Sequence, residues 1–394
     1  MSLSTDLFSR SLARHYSHFD VENRLLFTGH SHQAWPDAAL EGLIESFDAA
    51  ARAVDTKWDI VFEKVDIMRQ YLKDFYDDPY GLYTHGENTH NLFVRWLSGL
   101  DVTRKKTIVI TDTEFYSIAR QMDRLQEEGF IIKKVPALPL NGFASRLEAA
   151  LDDDTLAVML SRVYFETGLI NPELTQSASV CREAGIPLMI DDYHGTNVVP
   201  LSLREAGLQD AFVLIGGYKY LQWGEGNCFL RFPADTIMRP VITGWFSGFS
   251  SLREGRASGR VSYDDADLRF AGATFDGASA FRGAAVVDFF RSQGLTPTLL
   301  RHLYLEHTAY MKRRFLSLQL DPGVLQLTHP YPVTANGGFL SLRGPRAQQI
   351  WEALRQEGVF TDCRGDLLRF GSAPYMVSSQ IDEAFGILGK VAGG

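Results

Sequence analysis

Cysteine is scarce in this chain. Cys181, Cys228 and Cys363 are spread over 394 residues and form no CxxC pair, so neither a disulfide framework nor a zinc ribbon is encoded, and a reducing cytoplasm is the expected location. No apolar run reaches the ~18 residues of a membrane span, and Met1 to Tyr16 lack the apolar core of a signal peptide. Positive charge is in deficit. With 39 Lys and Arg against 48 Asp and Glu, the net charge of -9 gives no footprint for nucleic acid. No GxGxxG or GxxxxGKS/T motif stands between a strand and a helix, and no GxSxG elbow occurs, which removes support for a dinucleotide fold, a P-loop or an elbow-type hydrolase. His30 and His32 could share a face, but no nearby cysteine or carboxylate completes a metal set, so they are expected to line a polar cleft and no metal is expected.

What is present is a globular chain, 45% hydrophobic, enough for one large core and a smaller one. Ser2 to His18 reads as a polar helical arm, and Leu25 to Phe27 as a short strand. Pro36 to Val54 has helical spacing that predicts an apolar face of Ala39, Leu40, Leu43, Ile44 and Phe47. Between Thr107 and Phe232, short β-rich runs (Thr107 to Ile110, Ile131 to Ile132, Leu156 to Leu160, Leu188 to Ile190, Phe212 to Ile215) alternate with helical segments. That alternation predicts an α/β fold with a mostly parallel sheet sandwiched by helices. Beyond it, apolar runs at Gly338 to Leu340 and Leu367 to Phe370, with helices near Gln348 to Glu357 and Ser379 to Leu388, read as a small α+β domain. The expected division is 1–50 as an N-terminal segment joining the small domain, 51–290 as the large domain and 291–394 as the small one. The polar stretch 247–267 reads as a surface loop or a lid, the loop being favoured.

Within that frame Gly216 to Gly226 is unusual. Lys219 sits between Tyr218 and Tyr220, shortly after an apolar strand, which is an odd place for a surface lysine. It suits a lysine that holds an aldehyde cofactor covalently. Pyridoxal 5'-phosphate (PLP) needs such a lysine, a carboxylate to keep its ring nitrogen protonated, a flat residue on the ring, and amides and hydroxyls for its phosphate. Asp191 ends an apolar run and would be presented at a strand's carboxyl end, where ligands of such sheets sit. Lys219 follows 28 residues later, the length of a crossover helix and a strand. Asp192 is a rival for the part, and either could be a helix cap. Asn88 and Thr89 open a helical run whose free amides suit a phosphate. His194 could stack on or hydrogen-bond the cofactor.

Asp191-x-x-His194, Gly217-Tyr218-Lys219-Tyr220-Leu221 and Gly244-Trp245-Phe246 together resemble kynureninase, in the class-V aminotransferase branch of the fold-type-I PLP enzymes. Thr28-Gly29-His30-Ser31, Asn88 to Leu92, Glu114-Phe115 and Leu368-Arg369-Phe370-Gly371 extend the resemblance along most of the chain. The resemblance implies Lys219 as the Schiff-base lysine and proton shuttle, Asp191 as partner of the ring nitrogen and Phe115 stacked on the ring. Asn88, Thr89, Tyr218 and His194 would surround the phosphate. Trp245 and Thr274 would serve the neighbouring subunit of a homodimer with shared sites. Arg369 would bind the substrate carboxylate, as a planar guanidinium can through two parallel hydrogen bonds, with His30 and Ser31 beside the substrate.

The chain departs from that pattern at His30, His32, Glu166 and Asp276, the positions expected around the substrate side chain. The implied reaction is hydrolytic Cβ–Cγ cleavage of an amino acid. A class-V aminotransferase or β-lyase is the alternative, and a non-catalytic binding or regulatory protein is the reading from another class. Cysteine desulfurization is disfavoured, because Cys363 is the one cysteine near a suitable loop and it precedes Arg369 too closely.

Overall fold

A computed structural model of the chain describes residues 1–253, 259–264 and 266–393. After strand β1 (Leu25–Leu26) come β2 (Leu82–Gly86), β3 (Thr107–Thr111), β4 (Ile131–Val135), β5 (Thr155–Ser161), β6 (Leu188–Asp191), β7 (Phe212–Gly216) and β8 (Cys228–Phe232). These last seven form one sheet in the order β2-β8-β7-β6-β5-β3-β4. Only β8 runs against the others, pairing antiparallel with β2 and β7. Every residue of β3, β5, β6, β7 and β8 is buried, as expected of strands covered on both faces by helices. The edge strand β4 is half-exposed and carries Lys133 and Lys134, charges that discourage pairing with another chain. Among the described residues, no helix is long and apolar enough to cross a membrane.

The rest of the chain builds β9 (Gln326–Leu327), β10 (Phe339–Arg343), β11 (Val359–Phe360), β12 (Asp362–Arg364) and β13 (Leu367–Gly371). Strands β12-β13-β10-β9 form an antiparallel sheet. Its core joins Leu340, Leu342, Leu368 and Phe370 to Ile381, Phe385 and Leu388 of the last helix. The short β1 pairs in parallel with β11, which carries the turn containing His30 to the end of β13, where Thr28 bridges Gly371.

One sequence expectation is refined and another needs correction. The helix Ala38–Ala53 turns its small residues inward, not its large ones. Ala39, Gly42 and Ala49 are buried, whereas Leu40 is 42%, Ile44 56% and Phe47 75% exposed. Close packing explains this: a Cβ on Gly42 would lie 2.6 Å from the carbonyl oxygen of Phe281, so a bulky side chain there would push the helices apart. The connection from Asp191 to Lys219 is also not a crossover helix. It runs through turns over residues 192–211, where Gly195, Pro200 and Gly207 interrupt helical propagation. Of the stretch 247–267, residues 254–258 and 265 lie outside the described residues.

Candidate active site

The parallel register sets Ser161 of β5 beside Asp191 of β6, and Asp191 beside Leu214 of β7. Their carboxyl ends open into a cavity lined by Thr89, Phe115, Ser161, Asp191, Tyr218 and Lys219, among others. This is where a mostly parallel sheet presents ligand-binding groups. Thr89 enters it as the first residue of the helix Thr89–Ser98. Phe115 precedes the helix Tyr116–Glu127, with its ring edge-on to Phe165 at 5.6 Å. The close approach of Tyr193 depends on glycine, because a Cβ on Gly216 would fall 1.8 Å from the Tyr193 ring.

Lys219 is buried at the centre. Its Nζ lies 2.8 Å from His194 Nε2, 4.4 Å from the centroid of Tyr193 and 5.5 Å from that of Phe115. Burial lowers the pKa of this amine, and Asp191 only partly offsets the effect. An amine depressed in this way is a better nucleophile near neutral pH. Burial conversely raises Asp191, against the backbone N–H of Tyr193 and the charge of Lys219. His194 is held well below its usual range, first by burial and then by Lys219 and Arg369. A neutral His194 can therefore accept a hydrogen bond from the Lys219 amine. Its Nδ1 is buried without a hydrogen-bond partner among the described residues.

The sequence did not single out Glu114 or Ser161 as site residues. The buried Glu114 accepts hydrogen bonds from Thr111 Oγ1 (2.5 Å), Ser161 N (3.1 Å) and Ser161 Oγ (2.6 Å). Burial, reinforced by Asp191, pushes its carboxyl up to about 7 despite those bonds. Asp192, the rival to Asp191, faces elsewhere. Its carboxylate takes Arg162 Nε at 2.5 Å and Nη2 at 2.9 Å, with Tyr76 OH at 2.6 Å, which makes it a structural ion pair beneath the site.

A second group converges from the small sheet. Arg369 is buried on β13 and stands in register with Asp362 of β12. Its Nη2 donates to Asp362 and its Nη1 to the backbone carbonyl of Phe165, while its guanidinium carbon lies 5.7 Å from the Phe339 ring. His30 stacks on the same Phe339 at 4.6 Å, and His194 lies 5.6 Å from it on the cavity side. His32 stacks on Tyr218 at 5.1 Å. Ser31 donates its hydroxyl to the carbonyl of Thr28, which closes the turn. Glu166 gives its backbone carbonyl to Ser341, and the Asp276 side chain caps the helix Gly277–Ser292. Asp362 had no signal in the sequence. Only the β12–β13 register reveals it.

Asn88 is the N-cap of its helix, accepting from Asn91 N at 2.8 Å, and lies outside the cavity lining. Trp245 is stacked on Phe246 and 46% exposed, and Thr274 is exposed. Neither lines this chain's cavity. Cys363 Sγ lies 3.6 Å from the carbonyl of Gly365 and is not part of the cavity either. No group of three or more potential metal ligands occurs among the described residues.

The sequence model of the kynureninase C-terminal domain matches residues 300–388. The kynureninase of Pseudomonas fluorescens is 24% identical over 297 residues, covering 73% of this chain and 68% of that one. A mitochondrial cysteine desulfurase of Candida maltosa is 27% identical over 190 residues, 46% of this chain but only 38% of the relative. Among solved structures, C-DES with glycine covalently linked to its PLP cofactor superposes with a TM-score of 0.82 at 18% identity, covering 95% of this chain and 98% of that chain. A buried lysine amine, a carboxylate at a strand end, an aromatic ring above them and a helix start at Thr89 fit PLP as the cofactor. The chain has the fold of PLP-dependent enzymes of fold type I, class V, and the residues lining its cavity suit the same cofactor. Its sequence is similar to kynureninase, and residues 300–388, which include Arg369, match that family's C-terminal domain.

Proposed function

We propose that the protein acts on an α-amino acid and cleaves its Cβ–Cγ bond hydrolytically, as a kynureninase-like enzyme. The buried Lys219 amine, 2.8 Å from a neutral His194 and in one cavity with Asp191 and Phe115, carries the PLP part of the reading, and the similarity of residues 300–388 to the kynureninase C-terminal domain favours the hydrolytic reaction. When bound, PLP draws electrons from the substrate's α-carbon into its ring. Lys219 would hold the cofactor through its amine, and the same amine would move the proton at the substrate's α-carbon. His194 Nε2 accepts from the lysine amine and keeps it aimed into the cavity. Asp191 would keep a proton on the cofactor's ring nitrogen, and Phe115 would offer its ring for stacking. Thr89 and Tyr218, with the helix amides behind Asn88, take the phosphate. Arg369 grips the substrate carboxylate, with His30 and Ser31 close by.

The same reading makes the protein a cytoplasmic homodimer with 51–290 as the cofactor domain. The exposed stripe Leu40, Ile44 and Phe47, together with the exposed Ile237, Val241 and Trp245, is the apolar surface that a second copy would cover. Trp245 and Thr274 would then reach the partner's phosphate.

The test is reconstitution with PLP, borohydride reduction and peptide mapping, which should find the pyridoxyl mass on Lys219 and none after Lys219→Ala. Kynurenine and 3-hydroxykynurenine should then yield alanine and an anthranilate. Turnover of another amino acid only when a keto acid is supplied would instead make the protein an aminotransferase.

A further inference from the structure

Arg369 enters its proposed task already occupied. Of its donors, Nη2 is given to Asp362 and Nη1 to Phe165 O, and Nε is buried with no hydrogen-bond partner. A carboxylate engages a guanidinium best through two parallel N–H groups, and here that edge is Nε with Nη2. An incoming carboxylate therefore meets Asp362 at the same nitrogen. Two carboxylates on one buried nitrogen repel each other strongly, because the interior screens them poorly.

The structure offers Asp362 another partner. His30 Nε2 lies 3.5 Å from Asp362 Oδ2, too far for a good hydrogen bond, and both ring nitrogens of His30 are buried without partners. The groups facing His30 are Asp362 on β12, Arg369 on β13, and Lys219 and His194 from the large sheet, with Phe339 covering the ring. Arg364 approaches the far side of Asp362 at 3.6 Å. While Asp362 serves Arg369, burial and then the Arg369 charge hold His30 at about 3, so it is neutral.

We propose that a carboxylate ligand displaces Asp362 from Arg369 onto His30, and that His30 takes up a proton from solvent as it receives Asp362. Charge balances in this exchange. The ligand brings one negative charge and the proton one positive charge, so the buried cluster gains none. Asp362 is then a positioning residue that sets how tightly, and at what pH, the site accepts a carboxylate. The inference rests on Arg369 as the carboxylate grip.

The experiment is calorimetric titration of the PLP-loaded protein with 3-phenylpropanoate, and with its amide as the uncharged control, in buffers of different ionisation enthalpy. The wild type should take up a net amount approaching one proton with the acid and none with the amide, and its affinity for the acid should fall as pH rises. Asp362→Asn should bind the acid about tenfold more tightly with little proton uptake, and His30→Gln should lose the uptake. No proton uptake in the wild type, a measurement that needs no variant, would overturn the exchange, as would weaker binding by Asp362→Asn. Arg369→Gln separates the two levels. Unchanged affinity for the acid there would remove Arg369 as the grip and the exchange with it, whereas lost affinity there with weakened Asp362→Asn would overturn the exchange alone.

Discussion

Asp191 and Asp192 are adjacent in sequence and should respond to the same change in opposite ways. Asp192 is fully buried and takes Arg162 through two nitrogens, with Tyr76 OH and Thr196 Oγ1 on the remaining lone pairs. Asp192→Asn keeps the shape but removes the countercharge of the buried Arg162 cation, leaving it one neutral amide oxygen and the carbonyls of Val199 and Pro200. Breaking a buried pair by removing one partner costs roughly 3–5 kcal/mol. Asp191 has no paired cation of that kind, and burial already disfavours its charge. A carboxyl raised in the fold supports stability below its unfolded pKa and loses that contribution as pH rises through the folded value. At neutral pH, Asp191→Asn should therefore leave the cofactor-free protein as stable as wild type or more so, while weakening its hold on PLP. Urea unfolding of the cofactor-free variants, followed by tryptophan fluorescence, reads the first effect, and spectrophotometric titration with PLP reads the second. A loss below about 1 kcal/mol for Asp192→Asn, where exposed pairs fall, would refute the assignment. So would a large stability loss in Asp191→Asn.

Glu114→Gln should stabilise the cofactor-free protein at alkaline pH. The wild-type carboxyl, raised from 4.5 to about 7, contributes at low pH and loses that contribution as pH climbs through 7, by up to about 3 kcal/mol. Thermal melting between pH 5.5 and 8.5 should fall in the wild type and flatten in the variant, and parallel curves would contradict this. Phe115→Ala should raise the dissociation constant for PLP by about tenfold, the scale of one lost aromatic stack. An unchanged constant would remove Phe115 from the ring face.

The strands that carry the cofactor end were legible because burial on both faces leaves continuous apolar runs such as Leu156 to Leu160 and Phe212 to Ile215. Asp191 and Lys219 stood out for the same reason, as polar groups at or shortly after the ends of such runs. Strand β2 was missed because Leu82-Tyr83-Thr84-His85-Gly86 mixes polar residues into a buried strand. There, Tyr83 and Thr84 lean on Asp267, a partner remote in the chain. The burial of the helix Ala38–Ala53 was not legible because periodicity identifies a stripe but not the neighbour it meets, and here the neighbour admits only small residues. Asp362 was invisible because its meaning depends on cross-strand register with Arg369 and on a turn at His30, far away in sequence.

The pairing of β1 with β11 also sets an order of assembly. The groups proposed for the cofactor, from Thr89 to Lys219, lie within one continuous third of the chain. The carboxylate end needs His30, held by the β1–β11 pairing, to meet β12 and β13. Arg369 leaves the ribosome 150 residues after Lys219, about 8 to 30 seconds later at about 5–20 residues per second. During that interval the nascent chain already contains every group proposed for its own cofactor cavity and has no grip for a substrate. A chain truncated before β11 should therefore be capable at most of capturing the coenzyme, with no means of selecting an amino acid.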